Sequence, residues 1–238
     1  MCTVSYIKTP LCSILTSNRD EHIQRPSADV PQEYQHGNKS LFYPKDPSAG
    51  GTWFCLDHFG NVMILLNGAL EKHHAQPPYR KSRGLIVLEL MENDEIKYAW
   101  DESNLDHIEP FTLVYFSEDS FYQFQWNGIQ KTTQHLNITE PKIWSSATLY
   151  PSNVRDARKD WYRLFLEQFP NPSPQQLMEF HRNAGQHDPE NGLLMNRDHK
   201  LLTKNITQCI IEKDGVELIH LDLVEQSSHK MKIPCRKL

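Results

Sequence analysis

The chain has 238 residues, 30 of them acidic and 25 basic, with a formal net charge of −5 and 38% hydrophobic side chains. That length buries a full core without disulfide or metal staples. Beyond Arg80-Lys81-Ser82-Arg83 there is no basic stripe, and no run of 18 apolar residues exists, which argues against a nucleic-acid partner and a membrane span.

Residues 3–8 and 11–17 are apolar or β-branched runs split by Thr9-Pro10, a pattern that predicts a hairpin with Cys2 at its head. Residues 18–21, Asn-Arg-Asp-Glu, form the polar end of its second strand. Residues 22–50 are polar and rich in Pro, Gly, Asp and His, and read as a long surface loop. A second hairpin is expected from residues 52–57 and 62–67 around the turn 58–61. Residues 85–91 fit a buried helix, which 95–102 either extends or follows. Strands are expected at 111–116, 121–126 and 129–135, the last two joined by Asn127-Gly128, and again at 143–150.

Residues 153–169 predict a helix burying Val154, Ala157, Trp161, Leu164 and Phe165. Another runs from Pro174 to His181 with Ser173 as its N-cap. Residues 182–199 read as loop. Strands at 206–212 and 216–223 about the Asp214-Gly215 turn, with a short run at 231–233, close the chain. Strands at both ends and helices in the middle suggest α+β layers in one domain over 1–238.

Five cysteines without framework spacing, and residues 2–17 without a leader's basic flank, predict reduced thiols in the cytoplasm. Cys12 and Cys55 alternate with apolar neighbours and read as core. The twelve histidines show no zinc spacing, so exposed loop histidines are expected, with no metal and no cofactor.

Cys2 carries the most chemistry. Removal of Met1 would leave a thiol and a free α-amine on one residue. An α-amine titrates near 7.7–8.0 and a thiol near about 8.5, so the amine can take the thiol's proton. Strand alternation sends Arg19 to one face and Asn18 and Asp20 to the other. An Arg beside the thiol favours thiolate, and an Asp can orient the amine; the same residues could equally form a solvated strand end. Asn67, before Gly68, offers a carboxamide donor for an oxyanion, or simply a turn. Gly50-Gly51-Thr52-Trp53 either lets a ligand approach the backbone or makes a plain turn.

Taken in order, Met1-Cys2, Asn18–Glu21 with Arg25-Pro26, Gly50-Gly51-Thr52-Trp53, Asn67-Gly68, Ser82-Arg83-Gly84, Leu194–Asp198 and Ile206-Thr207-Gln208 resemble the NRDE family. That family is similar in pattern to the N-terminal-nucleophile hydrolases, above all the cholylglycine hydrolase and penicillin V acylase branch. The resemblance implies a four-layer α-β-β-α sandwich and cleavage of a small linear N-acyl amide. It implies catalytic roles for Cys2, Arg19, Asp20 and Asn67, with Asn18, Trp53, Ser146, Arg155 and Arg158 at the substrate. Ser146 stands where those acylases carry a second oxyanion Asn, and Arg155 or Arg158 where they carry a late Arg; their Arg and Asp also lie further apart than Arg19 and Asp20. The alternative that the resemblance brings is a non-catalytic binding or carrier protein for haem, lipid or acyl-CoA.

Overall fold

The computed structural model describes residues 3–234; Met1, Cys2 and residues 235–238 lie outside the described residues. Two antiparallel sheets face each other. The first, in the order β10-β1-β2-β12-β13-β14, is built from β1 (Thr3–Lys8), β2 (Cys12–His22), β10 (Lys142–Ser145), β12 (Leu201–Glu212), β13 (Gly215–Asp222) and β14 (Ser227–Pro234). The two-residue β11 (Asn196–Arg197) pairs with β12. The second sheet runs in chain order through β3 (Asp29–His36), β4 (Lys39–Lys45), β5 (Phe54–Asp57), β6 (Val62–Asn67), β7 (Phe111–Phe116), β8 (Phe121–Trp126) and β9 (Lys131–His135).

Helices cover both outer faces. Helices α1 (Arg83–Met91) and α2 (Ile96–Glu102) pack with the second sheet. Helices α3 (Ser152–Gln168) and α4 (Pro174–Asn183) close the first over Ile7, Ile14, Tyr162, Leu177, Phe180 and Ile210. The result is the layered α-β-β-α arrangement. Between the sheets lie Val4, Tyr6 and Leu15 from the first and Phe42, Phe54, Leu56, Ile64 and Phe121 from the second, all shielded from water.

The β1–β2 hairpin pairs Thr3 with Asn18 and Ser5 with Thr16, so the chain enters the first sheet beside the polar end of β2. Alternation explains the polar run: Val4 and Tyr6 face the inter-sheet core, whereas Thr3 and Ser5 face the helices.

Three expectations are corrected. Residues 22–50 are not one loop but hold the β3–β4 hairpin, turned at Gly37 with φ of 58°. β3 lies at the sheet's edge with most of its side chains in water, so it lacks the apolar alternation that marks a half-buried strand. The strand foreseen at 143–150 stops at Ser145, and residues 146–150 turn away. On α3, Leu164 is 52% exposed, and the buried positions are Arg158 and Tyr162. The burial of an arginine rotates that face away from the apolar pattern.

Two separated glycine motifs meet. A Cβ on Gly51 would stand 2.7 Å from the Leu85 amide nitrogen, and one on Gly84 would stand 2.7 Å from the Thr52 oxygen. Close backbone packing against the start of α1 therefore accounts for both.

Candidate active site

The polar end of β2 is buried: Asn18, Arg19 and Asp20 are each at most 3% exposed. Alternation divides them. On the helix side, Asp20 accepts a hydrogen bond from the Tyr150 hydroxyl at 2.6 Å and another from the Thr203 hydroxyl. Asn18 donates to the carbonyls of Leu193 (2.7 Å) and His181 (3.1 Å), and its oxygen lies 2.7 Å from His181 Nδ1. The Ser5 hydroxyl lies 2.6 Å from His181 Nε2, which completes a sealed Ser5–His181–Asn18 chain. Burial, with the nearby Arg158 charge, pushes the His181 imidazole down to about 3, so it is neutral. Asn18 is thus held by protein partners on both ends of its amide. His181, expected at the end of its helix but counted among the exposed histidines, is fully buried.

Arg158 reaches across from α3. Its guanidinium lies 3.6 Å from the Tyr150 ring centroid and donates to Thr3 Oγ1 (2.6 Å), to the Asn191 carbonyl (3.0 and 3.1 Å) and to the Gly192 carbonyl (2.7 Å). It clamps the residue after Cys2 to the 182–199 loop.

On the inter-sheet side, Arg19 stacks 4.5 Å over the Trp53 ring and meets Asp46 at 3.0 Å. Arg25 joins the same Asp46 oxygen at 2.9 Å. Burial opposes the Asp46 charge, but the hydrogen bond and charge of Arg25, with the Arg19 charge, hold its carboxyl below the usual carboxylate range. Two buried donors in this group, Arg19 Nη1 and Trp53 Nε1, have no hydrogen-bond partner among the described residues. Unmet buried donors are costly and mark places where water or a ligand completes the site.

Asn67 ends β6. Its carbonyl accepts from the Ser146 hydroxyl at 2.7 Å, while its side-chain amide is half-buried and hydrogen-bonds to no described residue. The Ser146 proton is therefore committed to the backbone of Asn67, and the Asn67 carboxamide is the donor that stays available. Gly68, at φ of 81°, brings this strand end close: a Cβ there would lie 2.6 Å from Thr148 Oγ1. Arg155, one turn before Arg158, points elsewhere and donates to the Leu70 carbonyl at 3.0 Å.

A cleft of about 480 Å³ opens beside Asn67, lined among others by Gly68, Leu70, Gln123, Gln125, Ser146 and Arg155. A larger groove of about 780 Å³ lies under α4 toward the other end of β12, around Ile210 and Glu212, away from this cluster.

Cys12, Cys55 and Cys209 are buried and unbridged, and burial pushes each thiol up. None is a poised nucleophile. Cys2, the expected one, lies outside the described residues. Among the described residues no three His, Cys, Asp or Glu side chains converge as a metal site, and no helix is long and apolar enough to cross a membrane. Tyr150, Thr203, His181 and Asp46 had no sequence signal as members of the cluster. Only the turn-forming run Asp46-Pro47-Ser48 hinted that Asp46 caps a loop, and its Oδ1 does accept from the Ser48 and Ala49 amides.

The fold is of the N-terminal-nucleophile hydrolase type. An N-acylethanolamine-hydrolyzing acid amidase ortholog from Caenorhabditis elegans superposes with a TM-score of 0.62 at 10% identity, covering 87% of this chain and 92% of that one. Two forms of the conjugated bile acid hydrolase from Clostridium perfringens, a cysteine-to-alanine mutant and an arginine-to-leucine variant, give 0.59 and 0.61, again at 10% identity. They cover 98% and 97% of this chain, and 92% of each of theirs. No curated protein matches by sequence. The chain belongs to the Transport and Golgi organisation 2 family, whose model matches residues 1–201.

Proposed function

We propose that this protein is a cysteine amidohydrolase that cleaves a small linear N-acyl amide, with Cys2 as its nucleophile after loss of Met1. The observation that carries the reading is the buried framework around Thr3, the residue bonded to Cys2. Arg158 fixes Thr3 from the helix side. Asp20 stands on the neighbouring strand, and Arg19 and Trp53 present unpartnered donors on the opposite face. The reading requires Cys2 to continue the alternation of β1, which puts its thiol on the face shared by Val4 and Arg19.

The chemistry then follows from general principles. The Cys2 α-amine takes the thiol proton, and the buried Arg19 cation favours the thiolate. The thiolate sulfur attacks the amide carbonyl carbon, and the Asn67 carboxamide donates to the oxyanion. The intermediate collapses as the C–N bond breaks, and the α-ammonium gives its proton to the departing amine. Water, deprotonated by the same amine, attacks the thioester, releasing the carboxylic acid and restoring Cys2. Asp20, held by two hydroxyls, supplies negative charge to orient the α-ammonium.

One observation favours the second reading, a binding protein that reuses the fold: the Ser146 hydroxyl is spent on the Asn67 carbonyl, which leaves Asn67 as the one side-chain oxyanion donor identified. A panel of N-acyl amides with wild type and Cys2→Ala, alongside intact mass, separates the two. The hydrolase reading expects a processed N-terminus and turnover that vanishes in Cys2→Ala. Retained Met1, or equal turnover by both proteins, overturns it.

A further inference from the structure

The two sheets end on the edge strands β3, β9, β10 and β14. An edge offers a row of unpaired backbone groups, and proteins blunt it with proline, bulges, charge or a covering element. Three of these edges are blunted. β3 carries Pro31 and a register shift between Asp29 and Gln32. β14 carries Lys230, Lys232 and Pro234. β10 has four residues, follows Pro141 and lies against α3. β9, Lys131-Thr132-Thr133-Gln134-His135, has no proline and no register shift, and all but Lys131 are exposed. Its lysine is turned away from the edge: Nζ donates to the carbonyls of Trp100 and Ser103 at 2.8 Å and of Asp101 at 2.5 Å, at the end of α2. The His135 ring leans back on Tyr122 of β8, with 5.2 Å between centroids.

The phase of the β8–β9 ladder says which backbone groups are free. Leu136 donates to the Phe121 carbonyl at 2.7 Å, and Asn127 donates to the Gln130 carbonyl at 3.3 Å. In an antiparallel pair such hydrogen-bonded positions recur at every second residue. Residues 130, 132, 134 and 136 therefore bond to β8, and the N–H and C=O of Lys131, Thr133 and His135 point outward. Among the described residues no backbone group bonds to them. A second β9 laid antiparallel about a two-fold axis at Thr133 brings each outward residue opposite another: Thr133 meets itself, and Lys131 meets His135 of the partner subunit. Each facing pair exchanges two hydrogen bonds, and no acidic or second lysine side chain is brought into opposition. A slip of one residue sets outward groups against groups already bonded to β8. Ile129, 90% exposed at the tip of the same hairpin, then lies beside the chain just past His135 of the partner subunit, which covers an apolar side chain that the single chain leaves in water.

We infer that β9 is a self-docking edge, through which two copies of this chain join their second sheets into one continuous sheet across an isologous two-fold interface. Five residues a side make a small interface, so the dimer is a transient one. Sedimentation velocity on the full chain should show the mass rising from one copy toward two between about 10 µM and about 1 mM. Over the same range, amide hydrogen exchange should slow at Lys131, Thr133 and His135, while Thr132 and Gln134, already bonded to β8, stay unchanged. Thr133→Pro removes an outward N–H and no bond to β8, and Thr133→Lys sets two ammonium groups against each other at the axis. Each should weaken association about tenfold or more, with a cooperative urea transition confirming that the variant folds. A chain that stays single at every concentration, a dimer that survives both variants in folded protein, or exchange that slows on other strands and not at these three amides overturns the assignment.

Discussion

Replacing Arg158 with Met tests how the start of β1 is held. The guanidinium is fully buried, stacks on Tyr150, and makes five hydrogen bonds to four acceptors, Thr3 Oγ1, Ser145 Oγ and the Asn191 and Gly192 carbonyls. Methionine keeps much of the stem's packing but strands those acceptors. Charge-assisted bonds contribute roughly 1.5–3 kcal/mol each, yet they share one desolvated cation and do not add. The range for breaking a buried charged interaction, roughly 3–5 kcal/mol, is the better guide. That is a large part of a total stability of about 5–15 kcal/mol. In urea unfolding, with a slope near 3 kcal/mol/M, the midpoint should fall by about 1–1.7 M. Thr3→Val should cost less, and the double variant less than the sum, because both remove the 2.6 Å contact. A midpoint shift below about 0.3 M for Arg158→Met, or strict additivity in the cycle, would refute the clamp.

Asn67→Ala should lower kcat by about 10²–10³ with KM little changed, since the donor serves the transition state and its side chain hydrogen-bonds to no described residue; an unchanged kcat on the same amide removes Asn67 from the mechanism. Stability should also fall with acid. His181 and His220 have pKa values lowered by burial to about 3 and about 4, below the ordinary value near 6.5. The unfolded chain therefore binds protons first: the stabilising contribution is complete above about pH 6.5 and is lost as pH falls toward 4 and 3. At pH 5 each histidine costs about 2 kcal/mol, so the urea midpoint should drop between pH 7 and pH 5, and His181→Gln should flatten that drop. A midpoint independent of pH over this range contradicts neutral burial.

Much of the site's layout was legible because a strand obeys a period of two. The rule that put Arg19 on one face and Asn18 and Asp20 on the other needs no tertiary knowledge, and the structure shows that division. The partners were not legible. Tyr150, Thr203 and Asp46 lie 130, 183 and 27 residues in sequence from the β2 residues they touch. Nothing local marks them. Arg158 misled the helix pattern because a charged residue scores as solvent-facing unless all its donors are matched, and here a loop's carbonyls match them. Residues 22–50 misled for the opposite reason, since an edge strand bathed in water has no apolar face to show.

The central claim concerns Cys2, and the most direct measurement is intact-mass analysis of the native protein, before and after rapid quenching with an N-acyl amide. The account predicts a chain beginning at Cys2 and a transient mass increase equal to the acyl group, located on the N-terminal peptide and absent in Cys2→Ala. A chain that keeps Met1, or turnover that proceeds in Cys2→Ala, would contradict it.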